Sequence, residues 1–196
     1  MKIIGTGSAL PEQVVTNEEL TKFLDTSDEW IVSHTGIQER RILKEGTVAG
    51  LAIEAAQRAM EAAGVAAEDI DLILCSNVVS DFVTPALGCF IAGGIGYGGQ
   101  TLDVNGACTG FIKALDIADS YFAAGKAKRI LVVAAEKPTY LADWTDRATC
   151  VLFGDGAGAV VLERTKESGC LATHLATQFN ADFLNMPTPP TNCPFT

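Results

Sequence analysis

The sequence predicts an α/β protein with a mostly parallel sheet and helices on both faces, and three observations lead to this prediction. Short apolar runs typical of buried strands alternate with longer segments whose apolar residues recur at helical spacing. The chain has 19 glycines and 7 prolines, which fits a packed protein with tight turns between its elements. Apolar residues make up 48% of the 196 residues and charged residues 19%, so the chain can bury a core.

The elements follow one another in a regular order. The predicted strands are residues 2–7, 71–76, 101–104, 129–135, 158–163 and 171–177. The predicted helices are residues 17–24, 27–33, 47–63, a segment that starts at Pro85, and 108–124. Gly64 and Gly125 follow the two longest helices and are expected to end them. Beyond residue 177 the pattern fades into a proline-rich tail.

Charge and composition exclude several classes of protein. The net charge is −10, and the small basic groups at residues 40–44 and 126–129 favour solvated ends of elements over a nucleic-acid site. No segment approaches the ~20 apolar residues of a membrane span, and the amino-terminal apolar run is too short for a signal peptide. We therefore expect a soluble cytoplasmic protein. Six cysteines without a C-x-x-C pair, and two histidines, predict no metal site and mostly buried thiols.

The segment Val104-Asn105-Gly106-Ala107-Cys108-Thr109-Gly110-Phe111 carries the strongest chemical signal. A buried strand runs into a turn of small residues, and a long helix is predicted to begin at the cysteine. This is the arrangement of a nucleophile elbow. The free N–H groups of a helix start favour a thiolate, which is the species that exchanges thioesters. On this pattern alone, a buried structural cysteine remains an equal alternative.

Six motifs together point to a known family. They are Gly5-Thr6-Gly7, Asp25-Thr26-Ser27-Asp28-Glu29-Trp30-Ile31, Thr35-Gly36-Ile37, the segment around Cys108, Thr145-Asp146-Arg147 and Phe153-Gly154-Asp155-Gly156-Ala157-Gly158-Ala159. In their order and spacing the chain resembles β-ketoacyl-acyl carrier protein synthase III from residue 1 to about residue 177. The resemblance implies a thiolase-like fold of two similar halves, each with a five-stranded mixed sheet. Residues 1–168 would be the amino-terminal half, and residues 169–196 the truncated start of the carboxy-terminal half.

The resemblance also implies an activity. Cys108 would take an acyl group from acyl-coenzyme A, and a malonyl group on an acyl carrier protein would lose carbon dioxide and attack the acyl-cysteine. The product is a β-ketoacyl-acyl carrier protein, at the initiation of fatty acid synthesis. Coenzyme A thioester is the substrate and no cofactor is implied. The partners are acyl-coenzyme A, malonyl-acyl carrier protein and a second copy of the chain in a homodimer.

The family's nucleotide-binding residues transfer by position. Trp30 is implied to stack on the adenine of coenzyme A, with Arg147 on its other side and Thr26 in a hydrogen bond nearby. His34 stands where members of the family often carry an arginine near coenzyme A. Without the resemblance, amphipathic packing is the better interpretation of Trp30, and a surface charge that of Arg147.

The acyl-binding residues also transfer by position. Phe153 and Leu184 are implied to line the acyl pocket, and Thr84 to reach into the pocket of the partner subunit. Members restricted to acetyl primers tend to carry a bulky ring at the position of Thr84. Phe82, or the loop at residues 178–186, could fill the same space, and Phe153 could be plain core.

The chain also departs from the family. A His-Gln-Ala-Asn segment and a Gly-Asn-Thr segment of the second half stabilise the family's enolate, and neither occurs in this sequence. The histidines are His34 and His174, and His174 is predicted to be an ordinary strand residue. We therefore expect the 196-residue chain alone to be inactive. Residues 178–182 replace the family's Ala-Asp-Gly-Ser stretch.

Alternative functions remain open at this point. One is a related thioester enzyme, such as a biosynthetic thiolase, a hydroxymethylglutaryl-coenzyme A synthase relative or a polyketide-type starter synthase. Another is a non-catalytic half-domain that binds a partner chain.

Overall fold

A five-stranded mixed sheet forms the centre of the computed structural model, which describes residues 1–167, 169–183 and 185–186. The described strands are β1 (Lys2–Ala9), β2 (Gln13–Thr16), β3 (Glu39–Ile42), β4 (Leu72–Ser76), β5 (Gln100–Val104), β6 (Arg129–Glu136) and β7 (Gly156–Glu163). The order across the large sheet is β1-β7-β6-β4-β5. Strand β4 is parallel to β5 and β6, whereas β7 is antiparallel to β1 and β6. The five-stranded mixed sheet implied by the resemblance is therefore confirmed, whereas the mostly parallel sheet expected from alternating strands and helices is wrong, because two of the four pairings are antiparallel.

Helices cover both faces of this sheet, as predicted. The described α-helices are α1 (Asn17–Leu20), α2 (Asp28–Thr35), α3 (Val48–Ala63), α4 (Leu87–Ile95) and α5 (Gly110–Ala123). Strand β4 is buried on both faces, and its side chains alternate between them. Ile73 and Cys75 pack in the core with α3, and Leu72 and Leu74 pack in the core with α5.

Two glycines of the first strand allow a helix to pack closely against it. The strand predicted at residues 2–7 continues to Ala9, so both glycines lie within β1. A Cβ atom on Gly5 would lie 2.3 Å from the carbonyl oxygen of Ala59, and one on Gly7 would lie 2.3 Å from that of Ala55. These glycines therefore let α3 lie directly against β1.

The boundaries of three predicted helices also need correction. The helix predicted at residues 17–24 has a single α-helical turn, Asn17–Leu20. The helix after Pro85 begins only at Leu87, beyond a cis Thr84–Pro85 peptide bond. The helix predicted to begin at Cys108 begins at Gly110. Gly64 and Gly125 have positive φ angles just after their helices, as expected of residues that end them.

The remaining strands differ from the prediction as well. The antiparallel pair β2–β3 was not predicted, because four-residue strands of mixed polarity give little periodicity. The strand predicted at residues 171–177, with His174, is wrong, since the described residues from 169 to 183 form no strand. Residues 171–180 are exposed and pair with none of the described strands, so this apolar run has no ladder to stabilise it as a strand.

Candidate active site

The sheet topology brings Thr84, Cys108 and Phe153 to the end of the sheet where the parallel strands finish. The parallel strands β4, β5 and β6 all finish at this end, and β7, which is antiparallel to β6, begins there. Thr84 lies in the segment after β4, Cys108 follows β5, and Phe153 precedes β7. Ligands of open α/β sheets bind outside the carboxyl ends of the strands.

Cys108 lies on a tight turn between β5 and α5. It occupies a single 3₁₀ turn, Ala107–Thr109, and the preceding Ala107 has a φ of 45°. A Cβ atom on Gly110 would lie 2.1 Å from the Ser76 hydroxyl, and one on Gly106 would lie 2.7 Å from the Cα of Gly110. Both glycines are therefore required by this turn, which supports the predicted elbow although the α-helix starts two residues later.

The cysteines differ in exposure. Cys108 is exposed, whereas Cys75 and Cys150 are buried. Burial raises the pKa of Cys75, and the nearby carboxylates of Asp103 and Glu136 raise it further. Burial also raises the pKa of Cys150, with Asp146 contributing. A raised pKa favours the neutral thiol, which is a poor nucleophile.

The expectation of mostly buried thiols is only partly right. Cys89 is also exposed, and Cys170 is intermediate, so two of the five described cysteines are buried. Cys193 lies outside the described residues. Within the described part of the chain, no cluster of three or more His, Cys, Asp or Glu could hold a metal ion.

Trp30 and Arg147 come together although they are far apart in the sequence. The Arg147 guanidinium carbon lies 5.2 Å from the centroid of the Trp30 ring, and Arg147 Nη1 donates a hydrogen bond to the Asp25 carbonyl. The His34 ring stacks on Trp30 with centroids 4.4 Å apart, and its Nδ1 lies 2.8 Å from the Trp30 carbonyl oxygen. An adenine between Trp30 and Arg147 would need about 7 Å, two van der Waals contacts. Arg147 must therefore move outwards before a base can enter between them.

Thr26 has an unusual hydroxyl. Its Oγ1 is buried, and it has no hydrogen-bond partner among the residues that the structure describes. Leaving a buried hydroxyl unpaired costs about 1–3 kcal/mol. Thr26 precedes Ser27, whose Oγ accepts a hydrogen bond from the Trp30 backbone N–H at the start of α2. An unpaired polar group therefore lies next to the helix that carries Trp30.

The segment that carries Thr84 is anchored at its start. The backbone N–H groups of Val78 and Val79 donate to the Glu136 carboxylate at 2.8 and 2.9 Å. Thr84 itself is exposed, and the Phe82 ring stacks on Phe90 of α4 with centroids 5.3 Å apart. Phe82 is thus packed against a helix of its own chain.

The two other residues implied to line the acyl pocket are Phe153 and Leu184. Phe153 is half-buried and directly follows the 3₁₀ turn Cys150–Leu152. Leu184 lies outside the described residues.

Asp155 is a structural residue that the sequence interpretation missed. Its carboxylate accepts hydrogen bonds from the Leu43 N–H at 2.7 Å and from the Thr139 hydroxyl at 2.6 Å. Its own N–H donates to the Arg41 carbonyl. Asp155 therefore joins its own segment before β7 to the segment at residues 41–43 and to the segment that carries Thr139. The signal was present, because Asp155 is the one charged residue of the glycine-rich motif at residues 153–159.

The comparisons with known proteins agree with this geometry. A family model for 3-oxoacyl-[acyl-carrier-protein] synthase III matches residues 102–178. A β-ketoacyl-[acyl-carrier-protein] synthase III of Xanthomonas euvesicatoria pv. vesicatoria is 52% identical over 176 residues, which are 89% of this chain and 54% of the relative. One from Alkalilimnicola ehrlichii is 50% identical over 177 residues, 89% of this chain and 55% of the relative. The chain thus spans about half the length of the curated relatives it matches.

Solved structures give the same result. The 3-oxoacyl-[acyl-carrier-protein] synthase III of Aquifex aeolicus VF5 superimposes with a TM-score of 0.82 at 50% identity, over 85% of this chain and 54% of that one. The priming β-ketosynthase of the R1128 polyketide pathway also gives 0.82, at 38% identity, over 86% of this chain and 51% of that one. The resemblance is confirmed: this chain has the thiolase-like fold and is similar, over 89% of its length, to the amino-terminal half of a β-ketoacyl-[acyl-carrier-protein] synthase III.

Proposed function

We propose that the protein condenses an acyl-coenzyme A primer with malonyl-acyl carrier protein and releases carbon dioxide. The product is a β-ketoacyl-acyl carrier protein, at the start of fatty acid synthesis. The position of Cys108 carries this proposal, because an exposed thiol stands on a glycine-dependent turn at the carboxyl ends of the parallel strands. Relatives that bear the synthase III name support the choice of reaction.

Two chemical steps make up the proposed reaction. The Cys108 thiolate attacks the acyl thioester carbonyl, a carbon–sulfur bond to Cys108 forms, and coenzyme A leaves as a thiolate that takes up a proton. Decarboxylation of the malonyl thioester then leaves an electron pair as an enolate. Its carbon attacks the acyl-Cys108 carbonyl and expels the Cys108 thiolate. Every group transferred comes from the two thioesters, so the proposed chemistry uses no further cofactor.

Coenzyme A is proposed to bind at Trp30, Arg147 and Thr26. An indole face and a guanidinium suit a nucleobase. The unpaired Thr26 hydroxyl suits a polar group of the same ligand. The acyl chain is proposed to lie among Phe153, Leu184 and the partner subunit's Thr84.

The condensation step is proposed to need the family's His-Gln-Ala-Asn and Gly-Asn-Thr segments, which this sequence does not contain. We propose that residues 1–196 alone form no β-ketoacyl product, because the enolate has no side chains to stabilise it. A domain boundary near residue 168 fits the end of β7 at Glu163 and the absence of helix and strand in residues 169–180. Residues 169–196 would then begin the second half.

The assembly and location are part of the same proposal. We propose a cytoplasmic homodimer that binds neither nucleic acid nor membrane. Strand β5 is an outermost strand of the sheet, with a neighbouring strand on one side only. Leu102 on β5 is 39% exposed, which suits pairing with a second copy. Among the described residues, the helices are too short or too polar to cross a bilayer.

A polyketide priming function is the second candidate, because a priming β-ketosynthase is 38% identical over 86% of this chain. The two functions differ in the carrier protein that accepts the product. Condensation rates with fatty-acid and polyketide malonyl carrier proteins would separate them, and acetoacetyl-coenzyme A as a substrate would reveal a thiolase.

Acyl transfer to Cys108 is the central test. If the second half is present, incubation of the protein with acetyl-coenzyme A should give one acetyl group per chain by intact mass, with stoichiometric release of coenzyme A. Cys108→Ser should abolish this label. Cys89→Ser, which removes another exposed thiol, should leave it unchanged. Labelling that persists in Cys108→Ser would eliminate the elbow as the catalytic site, whereas no labelling of the wild type would favour a non-catalytic half-domain that binds a partner chain.

A further inference from the structure

Asn17 joins two segments through a buried side chain. The residue is 1% exposed, at the start of α1. Its Nδ2 donates to the Asp28 carboxylate at 2.8 Å and to the Ile37 carbonyl at 2.7 Å. Asp28 is the first residue of α2, and Ile37 follows the Gly36 that ends it. Asn17 therefore holds both ends of the helix that carries Trp30.

The Asn17 side-chain oxygen binds a buried arginine. Arg40 is 5% exposed, and its Nη2 donates to Asn17 Oδ1 at 2.6 Å. Arg40 also donates to the Val15 carbonyl at 3.1 Å and to the Val151 carbonyl at 3.5 Å. Within the described chain, Arg40 takes part in no ion pair with a carboxylate. These neutral oxygens solvate the buried guanidinium in place of water, so their positions are tightly constrained.

The far end of this chain of hydrogen bonds is the segment that carries Arg147. Val151 lies four residues beyond Arg147 and two before Phe153. Cys150 and Val151 pack with Ile31 of α2 in one small apolar cluster that Trp30 also contacts. The path from Asp28 through Asn17 and Arg40 to Val151 therefore links the two segments that present Trp30 and Arg147.

We propose that Asn17 and Arg40 are positioning residues that set Trp30 against Arg147 and thereby determine the affinity for coenzyme A. The inference rests on the proposed binding of coenzyme A at Trp30. Neither side chain is needed to touch the ligand. Their effect is to fix α2, so that the face of the indole stands at the distance and angle that the base requires.

Asn17→Asp separates positioning from general stability. The new carboxylate still accepts from Arg40 and gains a charge pair with it. It loses both Nδ2 donations and places a negative charge beside the Asp28 carboxylate. Gln38→Glu is the matched control, since Gln38 is exposed and its backbone carbonyl accepts from the Asn17 N–H. The control adds the same charge close to Asn17 but leaves the side-chain hydrogen bonds of Asn17 and Arg40 in place.

Coenzyme A affinity of the full chain is the main measurement, by titration calorimetry. Asn17→Asp should weaken binding about tenfold, as expected for the loss of two buried hydrogen bonds that orient a binding helix. Gln38→Glu should stay within about twofold of wild type. Asp28→Ala should weaken binding more than Asp28→Asn, because the amide keeps an oxygen that accepts from Asn17 and both variants lose the charge.

The fluorescence of Trp30 supplies a readout that stability alone does not change. The protein has two tryptophans, so in a Trp144→Phe background Trp30 is the only one. Acrylamide should quench this signal more strongly in Asn17→Asp than in Gln38→Glu, at temperatures where circular dichroism shows both to be folded. Equal quenching in the two variants would contradict the inference.

The remaining outcomes are distinguishable. If Trp30→Ala leaves coenzyme A affinity unchanged, the proposed binding site and this inference both fail. If Trp30→Ala weakens binding but Asn17→Asp binds as wild type does, only this inference fails. If Asn17→Asp does not fold, the Asp28 pair decides, and equal affinities of Asp28→Ala and Asp28→Asn overturn the inference.

Discussion

Trp30 and Arg147 show how much of the proposed activity depends on single side chains. Replacing each by alanine should raise the KM for acyl-coenzyme A, with a smaller effect on the use of carrier protein. Removing the aromatic stack and the charged group should together cost about 1–3 kcal/mol of binding free energy. Initial rates of acyl transfer to Cys108 would measure this, with Arg58→Ala as the control that removes an exposed guanidinium from α3. Unchanged KM values in both site variants would count against the assignment.

Thr84 leads to a second prediction at this scale, on the choice of acyl chain. Threonine is much smaller than an aromatic ring, so the pocket that it is proposed to close has room for several methylenes. Each buried methylene contributes about 0.8 kcal/mol, so three carbons add roughly 2 kcal/mol, near thirtyfold in kcat/KM. Medium-chain primers should therefore be accepted, and Thr84→Phe should shift preference towards acetyl.

The measurement for Thr84 compares kcat/KM for acetyl-, hexanoyl- and decanoyl-coenzyme A. Phe82 was the alternative residue to fill this space, and its stacking on Phe90 holds it against its own α4. Phe82→Ala should therefore change chain preference less than Thr84→Phe. A strong acetyl preference that Thr84→Phe does not alter would remove Thr84 from the argument.

Some features of the candidate site could be predicted from the sequence and others could not, because only contacts between neighbouring residues leave a local pattern. The tight turn that carries Cys108 was predictable because it needs small residues at adjacent positions, which a local pattern records. The partners of Arg40 were not, because Arg40 and Val151 are 111 residues apart and no local pattern records their contact. The Trp30–Arg147 pair was predicted only through the family resemblance.

At the scale of elements, α4 depends on a side chain from another strand. Its N-cap residue, Ala86, has no side chain that can accept a hydrogen bond. The Asp103 carboxylate of β5 instead accepts from the N–H groups of Leu87 and Gly88 at 2.9 and 3.0 Å. Asp103→Ala should therefore lower the free energy of unfolding by about 1–2 kcal/mol. Urea unfolding would measure this, with exposed Glu68→Ala as the control.

The pH dependence of this effect has a defined sign. Burial raises the pKa of Asp103, while hydrogen bonds from Gly88 and Leu87 oppose the change. A carboxyl group with a raised pKa in the folded state binds its proton more tightly when folded. Its contribution to stability therefore increases as pH falls through the raised pKa. The difference between wild type and Asp103→Ala should grow as pH falls from neutrality towards the ordinary pKa of an aspartate, about 4, and a difference that shrinks would contradict the pKa direction.

Strands were predicted correctly where both faces of the strand are buried. The prediction failed where pairing with another strand determines whether a segment is a strand. Residues 71–76 form a continuous apolar run, and β4 has neighbours on both edges. Residues 171–177 are also rich in apolar residues, but a strand needs a partner ladder, which composition does not reveal. The reverse holds for β2 and β3, whose pairing follows from tertiary position and not from their own pattern.

At the scale of the whole molecule, the order of the strands leaves β5 at an edge. An edge strand with an exposed apolar side chain such as Leu102 pairs readily with another chain. The nearby segment also exposes Phe82 and Val83. These surfaces are proposed to meet a second copy across a two-fold axis, which would bring each Thr84 close to the neighbouring subunit.

The β5 edge therefore supports a last prediction that joins assembly to specificity. Sedimentation velocity should show a dimer for wild type, and Leu102→Lys should weaken it about tenfold or more, because a charge on an edge strand opposes pairing. Ile112→Lys, which puts the same charge on an exposed position of α5, should leave the dimer intact. If Thr84 acts from the partner subunit, Thr84→Phe should no longer change chain preference once Leu102→Lys has separated the subunits. A full Thr84→Phe effect in the monomeric variant would place Thr84 in its own subunit's pocket.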